Sequence, residues 1–273
     1  MQVSEALQRL EPYLAGTGQP AREAYYIITE LLADAGETSP LVTEIPDSLF
    51  RKAERIAKRR AKGEPIQYIF GRAYFMDMTL RVKRGVFIPR PETETLVLLA
   101  ADLYPQDSEI RIWDLGTGTG CIAIYLARHY RKASITASDI SGKALGVARE
   151  NAARYGVSGR IRFVKARGTR AAEGLYDLVV SNPPYIRTEE MKGLQRDVLF
   201  EPTEALWGGD DGAGLSKEII LDPHLVPGGW LILETSPFIA EAVLRFANEN
   251  GFKAELFPDL SGLPRVIRAR WNG

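Results

Sequence analysis

Cysteine is almost absent from this chain of 273 residues: Cys121 stands alone. A single thiol cannot form an internal disulfide, and such sparing use of cysteine fits a reducing compartment. Histidine is nearly as scarce. His129 and His224 are the only two, and neither lies in a ligand-spaced cluster, so no metal is expected. No apolar run approaches the ~18 residues of a membrane span. The opening MQVSEALQRL reads as an amphipathic polar helix rather than a secretory signal. The expected compartment is therefore the cytoplasm, with no membrane partner. An excess of positive charge is missing too: Lys plus Arg number 35, and so do Asp plus Glu. Proteins that grip long stretches of nucleic acid usually carry a basic surplus, because phosphate neutralisation dominates their affinity. That argues against nucleic acid as a partner, while leaving a local basic patch open.

What is present is patterned. Ser4 can cap a short helix with Leu7, Leu10 and Leu14 on one face. A second helix runs from Pro20 to Gly36, with Ala24, Ile27, Ile28, Leu31 and Leu32 in helical register between a starting proline and a closing glycine. A third opens at Asp47 and stops at Gly63, with Leu49, Ala53, Ile56 and Ala57 inward. Its other face carries Arg51, Lys52, Arg55, Lys58, Arg59, Arg60 and Lys62, either a solvated face or a partner-binding one. Residues 66–90, rich in aromatic and branched side chains and broken by Gly71 and Gly85, suggest a β-hairpin linker. From about Glu92 strands and helices alternate. Strand-like runs are 110–115, 134–139, 161–164, 178–181 and 230–234; helical patterns cover 120–130, 143–155 and 214–225. Such alternation demands a parallel sheet with right-handed crossovers. After a helix over 240–250, Val266 to Trp271 reads as a last, antiparallel strand. The expected organisation is an α/β chain: a helical module over 1–65, a hairpin linker over 66–90, and a doubly wound domain over 91–273.

Two motifs carry chemistry. Asp114-Leu115-Gly116-Thr117-Gly118-Thr119-Gly120 closes the first strand of the α/β region and opens a helix. Its glycines let backbone approach a ligand, and the helix start offers free N–H groups. No Lys-Ser/Thr pair follows, so it is not a P-loop. Asp139 ends the next strand about 20 residues later, where a carboxylate can accept from both hydroxyls of a ribose. A helix-cap role for Asp139 is the alternative, although Ser141 can serve there. Cys121 reads as a packing residue. The second motif, Asn182-Pro183-Pro184-Tyr185, follows the fourth strand. Two prolines stiffen the turn and remove donors, so that the Asn182 side chain and a neighbouring carbonyl can accept both hydrogens of an –NH₂ group. Tyr185 offers a flat face to the planar group bearing it. An amide or exocyclic amine is a poor nucleophile, and holding both its hydrogens orients the lone pair toward an electrophile.

DLGTGTG with NPPY resembles the class I S-adenosylmethionine methyltransferases of planar –NH₂ groups. Three further segments resemble one branch, the HemK/PrmC release-factor glutamine methyltransferases: Glu64-Pro65-Ile66-Gln67-Tyr68-Ile69-Phe70-Gly71, Ile88-Pro89-Arg90-Pro91-Glu92-Thr93-Glu94, and the Glu201-Pro202, Ala205-Leu206, Gly208-Gly209-Asp210-Asp211-Gly212 series. The likeness spans nearly the whole chain. It implies a Rossmann-like, seven-stranded, mostly parallel sheet preceded by a small helical substrate-recognition domain. It further implies that Asp114, Gly116, Thr117, Gly118, Thr119, Gly120, Asp139, Ile140 and Asn182 hold S-adenosylmethionine. Asn182, Pro183, Pro184 and Tyr185 would hold the acceptor glutamine of a class I peptide chain release factor, with Arg90, Pro91 and Glu92 lining the pocket. A surface ion pair between Arg90 and Glu92 is the alternative for those two.

Departures from the family occur on the cofactor side. Val164-Lys165-Ala166-Arg167-Gly168-Thr169 stands where relatives carry an acid and a bulky aromatic beside the adenine, leaving Arg167 or backbone groups for that task. Leu233-Glu234-Thr235-Ser236 replaces a Glu-hydrophobic-Gly. Two competing functions stay open at this point: an adenine or guanine amine methyltransferase of nucleic acid, and a non-catalytic binding protein that keeps the fold.

Overall fold

The computed structural model describes residues 1–37, 39 and 42–273, and divides into two compact units. One comprises Met1–Phe70 with Gln195–Phe200; the other comprises Gly71–Leu194 with Glu201–Gly273.

In the first unit, helices α1 (Val3–Leu14), α2 (Pro20–Asp34) and α3 (Asp47–Arg60) precede a short α4 (Ile66–Phe70). Their inward stripes meet in one core of Leu10, Leu14, Ile27, Ile28, Leu31, Phe50, Ala53 and Ile56. Each large aliphatic buried there contributes roughly 1.5–3 kcal/mol. Ser4 is not the cap. The helix begins one residue before it, because Gln2 bridges Glu44 and the Val3 N–H donates to the Thr43 carbonyl at 2.8 Å, pinning the chain start. On α3 the buried side chain is Phe50, with Leu49 only half-buried. The basic face is partly structural. Arg60 is turned into a fork on Glu23 at 2.9 and 3.0 Å and also reaches Asp197 at 3.2 Å, and Arg59 pairs with Glu64 at 2.7 Å. Arg51, Lys52, Arg55, Lys58 and Lys62 stay exposed.

The hairpin is shorter than the sequence suggests. Residues 66–70 are helical, opened by Pro65 and closed by Gly71 at φ +72°. Strands β1 (Arg72–Phe75) and β2 (Met78–Arg81) then pair antiparallel. The second unit continues with α5 (Thr93–Ala101), β3 (Arg111–Leu115), α6 (Cys121–His129), β4 (Ser134–Asp139), α7 (Gly142–Arg154), β5 (Ile161–Lys165), β6 (Tyr176–Ser181), α8 (Gly214–Leu221), β7 (Leu225–Glu234), α9 (Ala240–Glu249), β8 (Phe252–Pro258) and β9 (Pro264–Trp271). Helix α8 stops four residues early because Asp222 precedes Pro223, which disfavours helical backbone.

The described residues form a seven-stranded sheet in the order β5-β4-β3-β6-β7-β9-β8. All neighbours pair parallel except β7 with β9 and β9 with β8. Central strands bury both faces. Ile112, Leu178, Val180 and Ile232 join one core with α5 and α6, while Trp113, Val179, Leu231 and Leu233 join the other with α8 and α9. The chain moves outward from β3 through β4 to β5 and then returns to β6 on the opposite side. The topological switch point therefore lies between β3 and β6, and ligand crevices of open α/β sheets form at that place. No helix of the described residues is long and apolar enough to cross a membrane.

Candidate functional site at the switch point

The two motifs leave the sheet side by side. Leu115 pairs directly with Ser181 across β3 and β6, and the Ser181 hydroxyl donates to the Leu115 carbonyl at 2.6 Å. The glycine loop follows Leu115 and Asn182 follows Ser181. A Cβ on Gly116 would stand 3.9 Å from the Asn182 carbonyl oxygen. Leu115 also pairs with Ser138 on its other side, so Asp139 emerges from the same edge.

The loop is built by its glycines. Gly116, Gly118 and Gly120 all have positive φ, at +79°, +55° and +83°, where other residues are strained. At Gly120 space forbids a side chain as well, since a Cβ would meet Ile124 at 3.0 Å and Ala148 at 3.1 Å. Asp114 lies beneath the loop, fully buried. Its Oδ2 accepts from the Thr117 hydroxyl at 2.6 Å and the Ala123 N–H at 3.1 Å, whereas its buried Oδ1 has no hydrogen-bond partner. Desolvation raises this carboxyl to about 7, with the Thr117 and Ala123 hydrogen bonds pulling the other way. Thr119 is buried too. Asn151 of α7, which the sequence did not flag, donates to the Thr119 carbonyl at 2.9 Å and exchanges hydrogen bonds with Arg81 of β2, tying hairpin to loop.

Asp139 binds backbone. Its Oδ2 accepts from the Gly118 N–H at 2.9 Å and its Oδ1 from the Ser141 N–H at 2.8 Å. Ser141 is the cap of α7, accepting from the Ala144 N–H. Burial raises the Asp139 carboxyl, opposed by these backbone donors. Ile140 beside it is 48% exposed, an apolar surface facing solvent. Further along, Arg167 is exposed at the head of a single helical turn, and Glu218 of α8 fixes the turn by accepting from the Thr169 N–H at 3.0 Å.

The NPPY turn is braced from behind. Gly208 lies so close that a Cβ would sit 2.6 Å from the carbonyls of Pro184 and Gly212 and 2.8 Å from the Tyr185 Cα. A Cβ on Gly212 would meet the Tyr185 carbonyl at 2.6 Å. The Gly208 N–H donates to the Ile186 carbonyl, and the Ile186 N–H to that of Leu206, both at 2.9 Å. The glycines after Ala205-Leu206 are thus a backbone brace. Two prolines in a turn are expected to present their carbonyls outward, but the Pro184 carbonyl lies against this brace.

Polar groups of residues 88–94 lock the same region. Glu201, nearly fully buried, accepts from the Ile88 N–H at 2.9 Å and pairs with the Arg90 guanidinium, which also lies over the Phe87 ring at 5.0 Å. The partner of Arg90 is therefore Glu201 rather than Glu92: Glu201 is a buried carboxylate that needs a cation, while Glu92 is half-buried at the start of α5. Glu94 accepts from the Met76 N–H at 2.6 Å in the hairpin turn. Thr93 donates to Glu234 Oε2 at 2.6 Å and accepts from the Asn182 side-chain nitrogen at 3.0 Å. Tyr185 donates to Glu234 Oε1 at 3.3 Å, and burial raises its phenol well above the ordinary range. Of the residues singled out from sequence, Asp114, Gly116 to Gly120, Asp139 and Ile140 share one wall of the switch point, and Asn182 to Tyr185 share the other. Arg90 braces residues behind the second wall. Sequence reasoning does not single out Thr93 or Glu234, although Thr93 lies in the Ile88 to Glu94 segment and Glu234 in the Leu233 to Ser236 stretch that departs from the family.

Known proteins resemble the chain in the same two parts. Residues 5–71 match the family described as PrmC N-terminal domain, and residues 77–206 match Methyltransferase small domain. A protein of Neisseria gonorrhoeae named Release factor glutamine methyltransferase is 39% identical over 254 residues, 90% of this chain and 89% of that one. A protein of the same name from Deinococcus radiodurans is 34% identical over the full length of both. Among solved structures, a methyltransferase from Pyrococcus furiosus superposes with a TM-score of 0.55, covering 73% of this chain and 91% of that one. At 18% identity it shows the fold alone. Glycine loop, NPPY turn and both matched segments thus converge, and the chain belongs to the release factor glutamine methyltransferase family.

Proposed function

We propose that the chain transfers a methyl group from S-adenosylmethionine to the side-chain amide nitrogen of the glutamine in the Gly-Gly-Gln loop of a class I release factor. The observation that carries this is the adjacency of the glycine loop and the NPPY turn on paired strands at the switch point. The residues present fit the cofactor. Asp114 Oδ1, buried and unpartnered, suits a cationic ammonium above it; Asp139 retains lone pairs for ribose hydroxyls; Ile140 and Arg167 offer surfaces to the adenine. When bound, the cofactor supplies an electrophilic methyl on sulfur.

The chain's own residues then act on the acceptor. Asn182 Oδ1 accepts one amide hydrogen and the Pro183 carbonyl the other, since that of Pro184 is turned to Gly208. Tyr185 lies against the planar amide. Both contacts strengthen as the nitrogen gains positive charge, so they favour the transition state over the ground state. The methylated nitrogen then sheds one of its two protons; an N-protonated amide is so strong an acid that no dedicated base is needed. The helical first unit recognises the protein substrate. Incubation with labelled cofactor tests this reading: label should enter a release factor and not RNA, and the reverse would overturn it.

Two outcomes concern the cofactor wall. Replacing Asp139 by Ala should weaken S-adenosylmethionine binding by ~1.5–3 kcal/mol, read by calorimetry, because charge-assisted contacts and the Gly118 anchor are lost together. Unchanged affinity in the folded variant would remove Asp139 from the site. Binding should also depend on pH through Asp114. Its folded carboxyl lies near 7 against an ordinary 3.8, so the ligand-free protein holds a proton between those values that the unfolded chain has lost. This group's contribution to stability therefore rises as pH falls through 7. A cationic ligand lowers the carboxyl again and expels that proton. Below pH 7 affinity should tighten by up to ~tenfold per pH unit as pH rises. Calorimetry in buffers of different ionisation enthalpy should detect proton release near pH 7; identical heats would contradict it.

A further inference from the structure

We propose that Thr93 and Glu234 are positioning residues of the reaction, fixing which way the Asn182 amide faces. The inference rests on the acceptor role given to Asn182 above, and follows from counting donors. A carboxylate only accepts. Glu234 is fully buried, and its two oxygens face the Thr93 hydroxyl at 2.6 Å and the Tyr185 hydroxyl at 3.3 Å. Thr93 must therefore spend its single hydrogen on Glu234. Its oxygen, itself buried, can then only accept, and the group that reaches it is the Asn182 side chain at 3.0 Å. An –NH₂ satisfies that lone pair; a carbonyl would oppose it. The amide nitrogen is thus held against Thr93, which leaves Oδ1 on the side away from it, free to accept from a substrate amide.

The same carboxylate holds the Tyr185 hydroxyl, so one buried group sets both the acceptor oxygen and the aromatic plane. It further places a negative charge three hydrogen bonds, through Thr93 and Asn182, from a nitrogen that becomes positive. Burial raises the Glu234 carboxyl to about 7, opposed by the Thr93 hydrogen bond, the Arg265 charge and Tyr185. Well above pH 7 it is the carboxylate that the relay needs. Glutamine at this position would be isosteric but could donate to Thr93. The hydroxyl would then turn, the Asn182 amide would reverse, and an –NH₂ would confront the substrate's own N–H groups.

The test uses the full chain, well above pH 7, with a release-factor substrate. Thr93→Val, nearly isosteric, should lower turnover ~10-fold or more with cofactor affinity within ~3-fold of the parent. Thr93→Ser, which keeps the hydroxyl, should recover at least about a third of the parental rate. On an Asn182→Ala background, Thr93→Val should add less than ~2-fold, since it acts through a group already removed. A readout independent of catalysis is the Asn182 side-chain amide resonance in an ¹H–¹⁵N spectrum, which should shift in Thr93→Val and in Glu234→Gln. Parental turnover in folded Thr93→Val, or a penalty that multiplies in full on the Asn182→Ala background, overturns the relay. A parental rate in Asn182→Ala itself would instead overturn the acceptor site on which the relay rests.

Discussion

Asn182→Ala is expected to lower turnover ~100-fold or more while leaving S-adenosylmethionine affinity within ~3-fold of the parent. The asymmetry comes from where the side chain points. Its nitrogen is tied to Thr93 at 3.0 Å, so the group lost to the substrate is an acceptor whose contact strengthens as the reacting nitrogen becomes positive. Glycine loop, Asp114 and Asp139 are untouched by the change, and the proline-stiffened turn keeps its brace at Gly208. Asn182→Asp is more discriminating. It retains an acceptor for the substrate but loses the donor to Thr93, and brings a second carboxylate toward Glu234. It should therefore turn over faster than the Ala variant and slower than the parent. Steady-state rates on one glutamine peptide decide the order. If Ala and Asp variants both match the parent, amine positioning by this residue is wrong.

Gly208→Ala should produce the second large loss, from a residue packed behind the acceptor turn. A Cβ there has no room: two carbonyl oxygens would lie at 2.6 Å and the Tyr185 Cα at 2.8 Å, all of them backbone. The NPPY turn must move, at a stability cost of ~1–3 kcal/mol. A displacement near 1 Å of a positioning group costs on the order of 100-fold in rate. Cofactor binding should survive, because the glycine loop and Asp139 follow β3 and β4 and form the other wall of the switch point. Gly193→Ala is the control, having nothing within 4 Å of a new Cβ and no positive φ. Turnover close to the parent in Gly208→Ala, with a lowered melting temperature, would show that the turn tolerates the shift.

How much of this was legible in the sequence depended on the kind of signal. Strands with both faces buried announce themselves as continuous apolar runs, and β3, β4 and β6 lay within two residues of where those runs placed them. Strand β8 did not. At the sheet edge it alternates Phe252, Ala254 and Leu256 with Lys253 and Glu255, a pattern too dilute to separate from a loop. Helix α4 reads as part of a hairpin because four of its five residues are aromatic or β-branched, and only Pro65 and Gly71 mark it. The glycine loop and NPPY turn were readable since each residue type has a local reason to be there. Partners distant in sequence were not readable. That Arg90 belongs to Glu201, Asn182 to Thr93 and Gly208 to Tyr185 follows from the sheet order, which sequence spacing does not encode.

The proposed reaction delivers a methyl group from the switch point to a glutamine amide. Its most direct test is mass spectrometry of a class I release factor after incubation with the protein and S-adenosylmethionine. The loop peptide bearing Gly-Gly-Gln should gain one methyl group, fragmentation should place it on the glutamine side chain, and the Asn182→Ala sample should lack it. A methyl group on any other residue, or an unmodified loop peptide from a protein that binds the cofactor, would rule this reaction out.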